Sequence, residues 1–170
     1  QNAILMDQMK ERDLALTRRT TDMSLLNSIA STLTSSLELD EILNKTLGHV
    51  IRYLKVEAGE IFLLEEDKKT LRMVLHRGQA AEAFWTQNLF TVGKGYIGLV
   101  AEARVPVVSK DLKNDERFLR DAVVKAGFHQ MVGIPLLAID NLIGVMSVAT
   151  QKTDPIDEQS IQMMAAVGNW

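Results

Sequence analysis

An α+β fold with mostly antiparallel pairing and a long N-terminal helix is predicted by this sequence from three observations. Apolar residues recur at helical spacing through the N-terminal part, two strand-turn-strand segments with nearly all-apolar limbs follow, and a capped helix comes last. The order of helices, strands, small helices, strands and helix fits an α+β layout better than alternating βαβ units.

Taking the elements in order, Leu5, Met9, Arg12, Leu16, Arg19, Met23, Leu26, Ala30 and Leu33 fall at alternating steps of four and three, a heptad seam. The seam suits a partner helix better than a broad core face, so Leu5, Met9, Leu16, Met23 and Leu26 are candidate dimer contacts. An amphipathic helix lying on its own domain is the other reading. Two arginines at core positions make any coiled coil here marginal and pairing-dependent. Residues 1–33 are therefore expected to be a signalling or dimerisation helix, and residues 34–170 a separate domain. A second helix is expected at about 40–54, where Glu38, Asp40 and Glu41 precede Leu43, Leu47, Val50, Ile51 and Leu54.

The period then changes to that of strands. Ile61 to Leu64, the charged turn Glu65 to Lys69, and Leu71 to Leu75 read as one hairpin. Met131 to Leu137 and Leu142 to Val148 flank Asp140-Asn141, which tolerate the positive φ of a tight turn, and read as a second. Limbs this apolar imply a sheet covered on both faces. Between the hairpins lie Phe84-Trp85, a Gly-rich turn at Gly93-Lys94-Gly95, a helix-like Ile97 to Ala103, a short Val105 to Val108 strand and a polar loop through Asn114 to Arg117. The last helix is expected to open at Asp154-Pro155-Ile156-Asp157.

The chain of 170 residues is 46% hydrophobic and 24% charged, with a net charge of -3, which describes an ordinary globular protein and excludes disorder. No basic excess points to nucleic acid, and no apolar run is long enough for a membrane span or a signal peptide, so a cytoplasmic location is expected. Zero cysteines remove thiol nucleophiles, Fe–S clusters, Cys-ligated zinc and disulfides. The start at Gln1 and the helical pattern at Ala165 to Trp170 lead us to expect a piece of a longer polypeptide.

Gly93-Lys94-Gly95-Tyr96-Ile97-Gly98 satisfies G-x-G-x-x-G with Asp115 further on, a formal dinucleotide fingerprint. The stretch before it is a poor buried parallel strand, so a tight turn needing flexible backbone is the expected reading of the glycines rather than nucleotide binding. His49, His76 and His129 have no metal-ligand spacing. His129, beside Phe128 at the entrance to a central strand, is either an exposed strand-end histidine or a pocket ligand for haem iron or a small acid. No Ser-His-Asp or paired-carboxylate arrangement is present, so no enzyme is expected. Phe84, Trp85, Tyr96, Phe118 and Phe128 cluster between the hairpins, as core or as cavity wall.

Over about residues 24–170 the sequence resembles a GAF domain, the small-molecule sensing module of signalling proteins. The resemblance rests on Leu37 to Leu43, Ala58 to Leu64, Gly93 to Val100, Val105 to Val108, Asp111 to Phe118, Gly133 to Leu136 and Ile143 to Met146, in that order and spacing. It implies a roughly six-stranded antiparallel sheet with helices on both faces, one face carrying terminal helices used for homodimers and the other roofing a ligand pocket. Pocket residues would include Trp85, Tyr96, Phe118, Phe128 and His129. Thr150-Gln151-Lys152 and Ile156-Asp157-Glu158 lack the Asn and Phe of cyclic-nucleotide-binding members. The absence of cysteine opposes a covalent bilin and sulfoxide reductase chemistry, leaving haem open and the ligand unnamed. The reading is a non-catalytic regulatory sensor that biases a fused output domain, whether kinase, cyclase, phosphodiesterase or transcription factor. A ligand-free dimerisation scaffold is the alternative.

Overall fold

The computed structural model describes residues 21–169, with side chains from residue 38 onward, and the chain divides into two compact units after Ile42. The dimer candidates Leu5, Met9 and Leu16 lie outside the described residues, as do the side chains of Met23 and Leu26.

Helix α1 spans Thr21–Leu54 without a break, where two helices were expected. No Gly or Pro interrupts residues 21–47, so acidic residues at 38–41 do not suffice to start a new helix. Its end is set by Lys55, whose φ of 56° turns the chain left-handed. Leu43, Leu47 and Val50, spaced by four and three, are buried.

Six strands form one antiparallel sheet in the order β3-β2-β1-β6-β5-β4. They are β1 (Ala58–Leu64), β2 (Thr70–Gly78), β3 (Leu89–Thr91), β4 (Val107–Ser109), β5 (Gln130–Ala138) and β6 (Asn141–Thr150). The charged turn between β1 and β2 is fixed by Asp67, whose Oδ1 accepts the Lys69 and Thr70 N–H groups at 2.8 and 2.9 Å. These bonds hold the Asp67 carboxyl below its usual range.

The second hairpin turns one residue earlier than its sequence suggests. Ala138 pairs with Asn141, so Ile139 and Asp140, at φ 47° and 65°, are the two loop residues. A β-branched residue in that conformation is an outlier, and Ile139 is also 89% exposed. The Asp140 carbonyl accepts from Arg104 Nη1 at 2.7 Å, which secures the tip.

On one face of the sheet, Leu47 and Ile51 of α1 lie over Gly59, and α5 (Glu158–Val167) is tied to β5 by the Leu137 N–H to Gly168 carbonyl bond of 2.9 Å. Helix α5 starts later than expected. Asp157, rather than Asp154, is its cap and accepts the Ser160 N–H at 2.7 Å, while the Asp154 carbonyl is engaged by Gln130 Nε2.

The other face is roofed by α2 (Ala81–Trp85), α3 (Gly95–Ala103), a short 3₁₀ turn (Leu112–Asn114) and α4 (Asp121–Lys125). The principal core lies under this roof, with Phe62, Phe84, Tyr96, Val100, Phe128 and Val145 among its buried members.

Candidate functional site

Strand alternation decides which residues enter the layer beneath the roof. On β1, Ala58, Glu60 and Phe62 share the inward face, and a charged residue between two apolar neighbours of that row needs a partner. Glu60 is fully buried and finds Arg120, the residue just before α4. Arg120 Nη1 and Nη2 donate to Glu60 Oε1 and Oε2 at 2.6 and 2.8 Å, a two-pronged bond, and Nη1 also reaches the Phe84 carbonyl at 3.2 Å.

Four rings enclose the guanidinium. Its carbon lies 5.3 Å from the Phe84 ring centre, 5.4 Å from Phe90, 5.6 Å from Phe118 and 5.7 Å from Phe62. The ion pair is thus desolvated, paired and faced by π-electron density.

Registration places more polar groups beside it. Glu60 is opposite His76 on β2 and Ser147 on β6, and Ser147 is opposite Gly133 on β5, so the four form one row across the inward face. His76 Nε2 and Ser147 Oγ are buried with no hydrogen-bond partner. The His76 ring packs 4.8 Å from that of Phe84. Burial pushes the His76 imidazole below its usual range; Glu60 pulls the other way, and Arg120 adds to the fall.

A pH dependence follows from that shift. The unfolded chain takes up a proton at an ordinary histidine near pH 6.5, while folded His76 resists it. Stability due to neutral His76 is therefore complete above that value and is lost as pH falls below it. Urea midpoints measured between pH 7 and 5 are expected to decline, and His76→Phe is expected to flatten the decline. An equally steep profile in that variant would refute the assignment.

The sequence-nominated residues separate into three places. Tyr96 and Phe118 are buried with their rings 6.3 Å apart edge to face, and the Tyr96 hydroxyl donates to the Val107 carbonyl, with the Met131 carbonyl 3.2 Å away. Burial keeps that phenol protonated far above its ordinary range. Phe128 is 1% exposed and packs edge to face on Phe84. Trp85 ends α2 and is 41% exposed, because one helical step turns it away from the inward Phe84. His129 is exposed and lines a cleft of about 450 Å³ with Phe128, Lys110, Lys113, Asn114 and Thr153, outside the Glu60 to Arg120 cage.

An adjoining cleft of about 460 Å³ contains Arg117, which grips Asp115 through Nε at 2.9 Å and Nη2 at 2.6 Å. That bond holds the Asp115 carboxyl well below the carboxylate range. Among the described residues no group of three or more His, Cys, Asp or Glu could hold a metal ion, and no helix is long and apolar enough to cross a membrane.

The glycine motif is structural. Gly93 and Gly95 adopt φ 86° and 69°, conformations glycine enters without strain, and a Cβ on Gly98 would lie 2.1 Å from the Thr91 carbonyl oxygen. The three glycines fold the chain from β3 tightly into α3. No parallel strand feeds that turn.

Over residues 36–169 the chain matches a family model described as the GAF domain. The chain belongs to the GAF domain family. This GAF domain is 27% identical over 140 residues to the Nif-specific regulatory protein of Azospirillum lipoferum, covering 79% of this chain but 22% of that protein. Among solved structures, it resembles the GAF domain of a phosphoenolpyruvate-protein phosphotransferase from Coxiella burnetii, with TM-score 0.67, 18% identity and coverage of 88% of this chain and 90% of that one. It also resembles a free methionine-R-sulfoxide reductase from Neisseria meningitidis solved with its substrate, with TM-score 0.61, 14% identity and coverage of 73% and 70%.

Sequence reasoning missed Glu60, His76, Arg120 and Ser147 as a group. A usable signal existed for Glu60, a lone charge at an inward position of an apolar strand. Arg120 had none, since it lies in an irregular stretch whose course over the sheet is set by tertiary packing.

Proposed function

We propose that this GAF domain is a non-catalytic regulatory sensor module of a larger signal-transduction protein, passing the occupancy of the layer under its roof to its terminal helices. One observation carries the reading: adjacent residues of β1 and β2 touch the roofed layer on one face and α1 on the other. Glu60 holds Arg120, while its neighbour Gly59 receives Leu47 and Ile51. His76 faces Phe84, while its neighbour Arg77 donates through Nη1 to the Asn44 carbonyl and Oδ1, both at 3.0 Å. A shift of either strand end is felt on both sides.

The Azospirillum relative is named a regulatory protein, and the chain spans about a fifth of its length, room for the output domain we propose. The heptad at Leu5, Met9, Leu16, Met23 and Leu26 supports pairing into a homodimer, with α5 as a second contact. The Neisseria reductase shares the fold, yet a chain with no cysteine has no thiol to reduce a sulfoxide.

A specific observation favours a second reading, a ligand-free dimerisation scaffold. Phe84 packs on Phe128 and Tyr96 on Phe118, and all four rings are buried in the layer. Native mass spectrometry of the purified chain, with an absorbance scan for haem, separates the two. A reproducible added mass per subunit is the expected result for the sensor; a dimer with none would favour the scaffold.

A further inference from the structure

We propose that the layer under the roof is a cation-recognition site whose occupant in this structure is the chain's own Arg120, and that its exogenous ligand is a small guanidinium compound that takes Arg120's place. The inference deepens the sensor reading and rests on it.

Four ring faces and one carboxylate are the recognition set of an organic cation. The rings of Phe62, Phe84, Phe90 and Phe118 stand 5.3 to 5.7 Å from the guanidinium carbon, and Glu60 supplies both oxygens to its fork. As a fastening, this arrangement has no advantage, because apolar residues of similar volume serve stability as well as a buried ion pair.

Two further observations point to an exchangeable occupant. Arg120 is delivered by a segment outside regular structure, between the buried Phe118 and α4, and its immediate neighbour Leu119 is 50% exposed. Ser147 Oγ and His76 Nε2, flanking Glu60 in the row, are buried and unpartnered. Arg120 leaves this hydrogen-bonding capacity unused, so a guanidinium ligand carrying an additional polar group would satisfy it where Arg120 cannot. A planar fork matches Glu60 in two bonds; an alkylammonium matches it in one.

Arg120 competes as a tethered ligand whose effective concentration is on the order of millimolar, so a bare alkylguanidinium should bind the wild type weakly and an Arg120→Ala variant more tightly. Methylguanidinium chloride is the probe, with methylammonium and sodium chloride at equal ionic strength as controls. In Arg120→Ala, methylguanidinium is expected to raise the melting temperature by about 3–6 °C at ten times its Kd, with less effect from methylammonium and none in Arg120→Ala/Glu60→Gln. In the wild-type chain, which needs no folded variant, the Arg120 Nε–Hε NMR signal should move toward the position of exposed arginines as the probe is added.

The proposal is overturned if folded Arg120→Ala responds to methylguanidinium no more than to sodium chloride. It is also overturned if the wild-type Arg120 signal stays in place when the probe is raised to several times the sum of the variant's Kd and the tethered concentration, on the order of millimolar. A larger response to methylammonium overturns the guanidinium assignment. An unrelated added mass in native spectra alongside these negatives leaves the sensor reading standing, whereas negatives with no added mass remove both.

Discussion

Arg120→Ala is expected to destabilise the domain by about 3–5 kcal/mol, because it strands the Glu60 carboxylate in a buried site without its counter-charge. For a domain of this size that is a fall in melting temperature of roughly 10–20 °C. The size of the effect reports the stranded charge rather than the net value of the pair. The double variant Glu60→Leu/Arg120→Met, which replaces both partners with apolar groups of similar length, is therefore expected to lie within about 1 kcal/mol of wild type. Urea titrations compared at constant m-value check both statements. A single variant as stable as the double would mean that water reaches Glu60 and that the cage is not dry.

Gly98→Ala is expected to be the next most damaging change, at about 3 kcal/mol, although it adds one methyl group to a helix where alanine is ordinarily preferred. The added carbon would meet the Thr91 carbonyl oxygen at 2.1 Å, with the Gly93 nitrogen at 3.1 Å. These are backbone atoms, and they cannot rotate aside as a side chain can. Gly93 N–H also donates to the Gly98 carbonyl at 2.8 Å, so separating the two segments strains the bond that closes the turn. Gly127→Ala is a useful contrast: its Cβ would be 3.6 Å from the nearest group, Gln151 Nε2, so any loss there reflects its φ of 96° and not crowding. If Gly98→Ala melted within a degree or two of wild type, close helix-to-turn packing would not explain the motif.

Much of this fold was legible because its signals are local and repeated. Short apolar runs on either side of a charged turn marked β1 and β2, and the all-apolar limbs of β5 and β6 announced a sheet covered on both faces. Local signals were less exact about where elements change. The start of α5 depended on which of two aspartates, Asp154 or Asp157, capped it, and that was settled when Gln130 engaged the Asp154 carbonyl. The turn between β5 and β6 was settled by the pairing of Ala138 with Asn141, which puts Ile139 in a conformation its own preferences oppose.

By itself, then, the sequence determined the α+β class, the two hairpins, the helix after the glycine turn and the family, but not β3, α2, α4 or the single unbroken α1. Only the tertiary structure decided which aromatic side chains face inward, that Phe84 does so and Trp85 does not, and that Glu60 meets Arg120 sixty residues away. The physical reason is range. Propensity and periodicity act over a few residues, whereas the partner of a buried charge is chosen by strand register and by how the roof packs on the sheet.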